Sequence, residues 1–387
     1  MLPLSRSDID SGLPRFAGSI AYLQRILPSY RGPFFDLLAT ACTGGVSVLH
    51  GEPMVDEGIR CDTNLRIAKQ HPTRNRYVRI GPGYLCLQSD VVPWLERVQP
   101  DVLIAEANPR ILSTARASNW MRRRGKPVLG HGLGVPPITS RLSFRRFLRG
   151  RFLHLFDAFI AYSTLGARQY EDQGVPKSRV FVALNAVASR DVPTPPRRAY
   201  VPGHRVRIVY LGRLTREKRV DLLIRACATL SGEVTLTVIG DGPNRAEFEA
   251  LARSQLPGAT FRGDLRGNML SSALYECDVC VMPGSGGLAI HDAMAHGLPV
   301  VVAESDGTQF DLVRKGNGWL VPPGDLRALV DTLRSVISEA PRLRTLGAES
   351  YRIVREEISL EAMVASIVHA ANLLSGQVVE VLRPSSQ

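Results

Sequence analysis

Short runs of aliphatic and β-branched residues recur along the chain, separated by stretches whose apolar positions repeat every three to four residues. The first half carries "VSVLHG" (46–51), "DVLIAEAN" (101–108), "KPVLGHG" (126–132), "DAFIAYS" (157–163) and "RVFVALN" (179–185). The second half carries "RVRIVYLG" (205–212), "VTLTVIG" (234–240), "ATFRG" (259–263), "CDVCVMP" (277–283) and "PVVVAE" (299–304). Helical patterns such as "RVDLLIRACATL" (219–230) and "PNRAEFEALARSQL" (243–256) lie between them. Strands apolar on both faces and alternating with helices predict an α/β protein with parallel, doubly wound sheets.

The alternation breaks at "RDVPTPPRRAYVPGHR" (190–205), which has four prolines among charged residues and no periodicity. Such a stretch reads as a linker. We therefore expect a first domain over residues 1–190, a linker over 191–204 and a second domain over 205–360. A terminal helix over 361–387 is expected to cross back onto the first domain. Ligands of doubly wound sheets sit at the C-terminal ends of the strands, so two such domains predict a ligand cleft where they face each other.

A length of 387 residues suits two cores, and 44% hydrophobic with 22% charged residues is ordinary for a water-soluble chain. No apolar run approaches the roughly 18–20 residues of a membrane-spanning helix. The start, "MLPLSRSDID", is polar and acidic where a signal peptide is apolar, so a cytoplasmic location is expected. Six cysteines fit that compartment as free thiols. Cys277 and Cys280 form a C-x-x-C, but in a strand they face opposite sides and read as core rather than as metal ligands. A net charge of +12 favours polyanions, among them nucleic acid, anionic lipid and phosphorylated small molecules. No nucleic-acid-binding signature is present, so none of that class is expected as a partner.

Three stretches carry chemistry. In "YLGRLTREKRVDLLIRA" (210–226) a strand ends at Gly212, and a loop with Arg213 and Lys218 leads into a helix. Two cations beside a helix N-terminus suit a diphosphate, although a solvated basic loop has the same composition. "VIGDGPNR" (238–245) has G-x-G, but Arg245 stands where a dinucleotide fingerprint needs its third glycine, which argues against NAD. In "PGSGGLAIHDAMAHGLPVV" (283–301), Gly284, Gly286 and Gly287 strip a turn of side chains before a helix starting near Leu288. The free N–H groups of that helix suit a phosphate or sugar hydroxyl, and Asp292 one turn later can accept from a diol such as ribose. Leu288, Ala289, Ala293 and Met294 are expected to face the core. An ordinary strand-to-helix turn is the alternative.

Together, "GRL…EK", "VIGDGP", "GGLAIHDAMAHGLPVV" and "DLVRKGNGWLVPPGD" (311–325) resemble the retaining GT-B glycosyltransferases of family 4, also called glycosyl transferases group 1. In the first half, "LPSYRGPFFDLLA" (27–39) looks like that family's first strand–loop–helix, and "GKPVLGHG" (125–132) and the stretch ending in Asn185 match more loosely. The resemblance implies two Rossmann-like domains facing each other across a cleft. It implies that Arg213 and Lys218 bind the diphosphate of a nucleotide sugar, and that the backbone of Gly212, Gly286, Gly287 and Leu288 borders the donor. Asp292 falls on the second position of the family's E-x7-E motif, which holds the ribose. His131 falls where a histidine often lies near the transferred sugar, and Tyr30, Arg31 and Gly32 fall on the acceptor side. The sequence departs from the family at the first acidic position, which is Gly284, followed by Ser285. In relatives a glutamate there lies close to the transferred sugar.

The activity implied is transfer of a hexose-type sugar, with retention, to a hydroxyl of a glycan or lipid-linked acceptor in surface polysaccharide or glycolipid assembly. His131, Arg213 and Lys218 are its candidate catalytic residues, and no metal or other cofactor is expected because protein cations stabilise the leaving diphosphate. A nucleotide-sugar-binding scaffold that has lost transfer, and a GT-B sugar-nucleotide epimerase, are the competing readings. His131 reads equally well as a satisfied loop residue. Finally, "RLSFRRFLRGRFLHLF" (141–156) sets Phe144, Phe147, Leu148, Phe152 and Leu155 on one helical face, with Arg141, Arg145 and Arg149 on another. That pattern fits either peripheral attachment to an anionic membrane surface or a helix packed on its own sheet.

Overall fold

The computed structural model describes residues 12–54, 57–61, 64–81, 83–135, 143–196, 201 and 203–376, with the side chains of 143–146 left aside. The chain divides into two compact units. One comprises Leu2–Val187 with Leu360–Gln387, and the other is Ala188–Ser359.

The first unit is built on seven parallel strands in the order β3-β2-β1-β6-β7-β8-β9. They are β1 (Ile20–Ile26), β2 (Val46–Gly51), β3 (Lys69–Pro72), β6 (Val102–Glu106), β7 (Val128–Gly132), β8 (Ala158–Ala161) and β9 (Val180–Val182). An antiparallel hairpin, β4 (Asn75–Ile80) and β5 (Gly83–Gln88), forms a separate ribbon. The strand of the predicted first strand–loop–helix lies upstream of residue 27: Ile20–Ile26 is the strand, and the helix runs Gly32–Ala41. The helix Leu360–Ser375 groups with this unit, where Asn372 donates to the carbonyl of Arg15 (2.9 Å) and His369 meets the ring of Phe181.

The second unit has six parallel strands in the order β12-β11-β10-β13-β14-β15. They are β10 (Val206–Leu211), β11 (Val234–Ile239), β12 (Thr260–Phe261), β13 (Val279–Met282), β14 (Val300–Ala303) and β15 (Gly318–Val321). Their apolar side chains meet Leu222, Leu223, Leu329 and Leu333 of the covering helices in one core. Because β10 has β11 on one side and β13 on the other, the winding reverses between β10 and β13, and a crevice opens there at the C-terminal strand ends. The residues before β10 are also held in this unit. Tyr351 donates to the carbonyl of Val192 (2.9 Å), and Pro195 packs against Gly297.

Cys277 sits just ahead of β13 rather than in it, and Cys280 is within the strand; both are buried and neither is in a disulfide. One expectation is corrected. The helical stretch Ala340–Ser375 contains an 18-residue window with mean hydropathy 1.4, long and apolar enough by composition to span a bilayer. It is interrupted between Glu356 and Leu360, and 56% of that window is buried inside the protein, which accounts for its apolar character.

The 141–156 pattern divides in the structure. The helix runs Ser143–Leu153, so Leu155 lies beyond its end. Phe152 and Leu155 pack against the first unit's core, whereas Phe147 and Leu148 are exposed. Arg141 and the side chains of Phe144 and Arg145 lie outside the described residues.

Candidate active site

At the end of β10 the chain turns through Gly212 at φ +145°, and the Tyr210 hydroxyl donates to the carbonyl of Arg213 (2.9 Å). That bond fixes the backbone while the Arg213 side chain stays exposed, with no carboxylate at ion-pair distance among the described residues. The next tight turn, Arg216–Lys218, ends at Arg219, whose left-handed φ of +53° starts the helix Val220–Thr229. Half-buried Lys218 donates from Nζ to the carbonyl of Ser285. Burial, and then the neighbouring Arg213 guanidinium, lower its pKa, with Asp306 and Glu217 opposing. Two cations close enough to disfavour each other form a place where an anion relieves both.

The glycine turn completes this wall. A side-chain carbon at Gly284 would lie 2.3 Å from the carbonyl oxygen of Glu217 and 2.7 Å from that of Lys218. The missing carboxylate has therefore left no gap, because the main chain of the Arg216–Lys218 turn fills the space. At Gly286 a side chain would meet Ile290 at 2.4 Å, whereas Gly287 faces open space at φ +62° and caps the helix Leu288–Ala295. The backbone N–H groups of Leu288 and Ala289 have no intrahelical partner, while that of Ile290 donates to the Gly287 carbonyl (3.3 Å). Ile290, His291, Ala293 and Met294 form the buried face. Leu288 and Ala289, expected inward, are half-buried, since they belong to the first turn at the strand end.

Asp292 keeps about a third of its side chain open, and its neighbour is His296, with Nδ1 3.6 Å from the carboxylate and 2.8 Å from the Asp292 carbonyl. Burial pushes the Asp292 carboxyl upward in pKa, and His296 pulls it down. The second ring nitrogen of His296 meets the hydroxyl of Ser271 at 3.0 Å. Sequence reading missed His296, although its spacing of four from Asp292 on a helix was the available signal.

His291, next to Asp292, is fully buried, and its Nε2 donates to the carbonyl of Ile358 (2.6 Å). Burial lowers its pKa from 6.5 to about 4. The unfolded chain thus takes up a proton between those values that the folded unit refuses, so this contribution is complete above pH 6.5 and lost as pH falls towards 4. The expected loss is about 2 kcal/mol between pH 7 and pH 5. Denaturant midpoints at the two pH values, for wild type and His291→Gln, check this. The variant should lose less on acidification, and equal losses would remove His291 as the cause.

In the first unit, His131 is the last residue but one of β7 and is 1% exposed; it is a strand residue, not a loop residue. Tyr30 is exposed, Arg31 is buried, and Gly32 opens the helix Gly32–Ala41. Sequence reading missed Tyr22 on β1, whose hydroxyl bonds to Nδ1 of His131, and Tyr162, whose ring lies 4.1 Å from the imidazole. Among the described residues, no three His, Cys, Asp or Glu side chains gather as a metal set.

Two doubly wound units with parallel sheets, one with a pair of cations beside a helix N-terminus at its switch point, are the layout of a glycosyltransferase of the GT-B architecture. Residues 205–339 match the model of the glycosyl transferases group 1 family. The chain is 30% identical over 288 residues to a GDP-mannose-dependent alpha-mannosyltransferase of Mycobacterium tuberculosis, covering 68% of this chain and 73% of that protein. It is 28% identical over 275 residues to a putative colanic acid biosynthesis glycosyltransferase, WcaL, of Salmonella typhimurium, covering 62% and 65%. The solved apo lipopolysaccharide outer core galactosyltransferase WaaB shares the fold, with a TM-score of 0.64, 17% identity and coverage of 91% and 99%. The chain belongs to the glycosyl transferases group 1 family and is a glycosyltransferase.

Proposed function

We propose that this enzyme moves a hexose-type sugar from a nucleoside diphosphate to an acceptor hydroxyl with retention of anomeric configuration, in the assembly of a surface polysaccharide or glycolipid. The observation that carries the reading is the meeting of Arg213, Lys218 and the free N–H groups after Gly287 at the C-terminal ends of β10 and β13. As the bond from the anomeric carbon to the diphosphate oxygen breaks, its electron pair passes to the diphosphate, where these groups stabilise the growing charge. The acceptor oxygen forms the new bond on the face just vacated, and its proton goes to the leaving phosphate oxygen. Protein cations supply the positive charge in this scheme, so no metal is assigned a role. Asp292 is assigned to the ribose diol. The assembly role draws on relatives whose names place them in colanic acid and lipopolysaccharide synthesis.

Thermal unfolding against UDP, GDP, ADP, TDP and their common sugar conjugates tests the reading. One base should stand out, and its sugar conjugate should shift the midpoint further, because ligands of the native state stabilise it by mass action. No shift with any nucleotide would overturn the donor assignment. Binding without a new glycosidic product would favour the scaffold reading, which rests on Gly284.

A further inference from the structure

Arg31 is 6% exposed, yet no carboxylate pairs with it among the described residues. Its guanidinium is held by neutral groups. Nη2 donates to Asn185 (2.7 Å), Nη1 points at the sulfur of Met363 (3.8 Å), and the rings of Tyr162, Phe34 and Tyr30 lie 5.4, 5.5 and 5.9 Å away. Glu106 is the acid whose field reaches Tyr22 and Tyr162, but its oxygens accept from the Arg25 backbone (3.2 Å) and Asn108 (3.3 Å). A buried cation without a counter-charge is costly, and the cost is recovered only when an anion arrives.

His131 supplies a second unmet group beside it. Tyr22, Ile104 and Leu129 are aligned across β1, β6 and β7, so His131 stands two residues further along the same face as Tyr22. Tyr22 is long enough to cross that diagonal. Its hydroxyl has Nδ1 of His131 as its one partner among the described residues; donation by the phenol satisfies its hydrogen and places the imidazole proton on Nε2, whereas the reverse leaves the phenol hydrogen without an acceptor. Nε2 is buried and has no partner among the described residues. Burial, then Arg31, lower the pKa of His131, while burial raises that of Tyr22, which keeps the ring neutral and the phenol protonated. Tyr162, Glu106 and Tyr30 are the other titratable groups around this cluster.

We propose that Arg31 and the Nε2–H of His131 form an anion subsite at the C-terminal edge of the first unit's sheet, taking a phosphate or carboxylate of the acceptor, with Tyr22 as the positioning residue that fixes the imidazole. This rests on the glycosyltransferase reading, in which the donor's diphosphate is already neutralised by Arg213 and Lys218. A second anion-recognising cluster on the acceptor side then selects acceptors that carry negative charge.

The test uses the full chain labelled with nitrogen-15 histidine, with the His131 signals assigned by their loss in His131→Gln. The free protein should show Nε2 protonated and Nδ1 bare; the opposite tautomer overturns the proposal. Saturating nucleoside diphosphate is added first, to fill the second unit's phosphate site. Glycerol phosphate and glucuronate are then titrated, as a phosphate and a carboxylate probe. At least one should shift the Nε2 signal saturably, the responding probe naming the charge. Arg31→Gln should weaken that response more than tenfold, and Tyr22→Phe, which keeps the ring, should mix the tautomers and weaken it less. If nucleoside diphosphate alone moves the signal and neither probe adds to it, the subsite belongs to the donor and the proposal fails; no response to any anion also overturns it. The signal is read without turnover, so a failure of the glycosyltransferase reading would appear separately, as absence of product with every nucleotide sugar.

Discussion

Arg213→Ala and Lys218→Ala are each expected to weaken nucleoside diphosphate binding by about 10- to 100-fold, the range for losing a charge-assisted hydrogen bond of roughly 1.5–3 kcal/mol. The two losses should not simply add. Lys218 is already disfavoured by burial and by Arg213, so removing Arg213 relieves it before any ligand arrives. Lys218→Ala also strips the Ser285 carbonyl of its donor, which loosens the glycine turn. Arg213→Lys keeps the charge but loses the planar fork and should fall between wild type and Arg213→Ala. Calorimetric titration with UDP and GDP measures this, and unchanged affinity in both alanine variants would sink the phosphate assignment.

Gly284→Ala should destabilise the second unit by roughly 1–3 kcal/mol, the usual cost of forcing extra atoms into a packed interior. The obstacle here is main chain, the Glu217 and Lys218 carbonyl groups, which cannot rotate aside as a side chain would. The turn that must retreat carries Lys218, so nucleotide affinity should fall with stability. Gly284→Glu, which writes the family's carboxylate back into the sequence, should be worse rather than restorative. Melting temperature and nucleotide affinity of both variants decide the matter. A Gly284→Glu protein as stable as wild type that binds a sugar nucleotide more tightly would show that the turn yields and that the glycine is a plain deletion.

The strands that sequence reading found were those whose apolar character needs no knowledge of neighbours, such as "VTLTVIG" and "PVVVAE", observed at Val234–Ile239 and Val300–Ala303. It missed β1 in the middle of the first sheet, because Gln24 and Arg25 interrupt the apolar run. Arg25 is nevertheless 7% exposed, held by Glu57 at 2.7 Å and by the rings of Tyr77 and Tyr84. A buried arginine is legible only once its partners are in place. The hairpin of β4 and β5 escaped for the opposite reason, since exposed residues such as Val78 and Ile80 leave no one-sided apolar pattern.

The sequence by itself determined the two α/β halves, the glycine turn before Leu288 and the pair of cations, Arg213 and Lys218, in the loop after the second unit's first strand. These rest on strand and helix periodicity, turn chemistry and charge, which act over a few residues. Tertiary structure alone decided that a side chain at position 284 meets main chain, that Arg31 is buried with no carboxylate partner among the described residues, and that the Tyr22 hydroxyl meets Nδ1 of His131. Steric exclusion and desolvation depend on which atoms meet after folding. Lys218 reaches Ser285 across 67 residues, and Tyr22 reaches His131 across 109, so no local pattern can contain them.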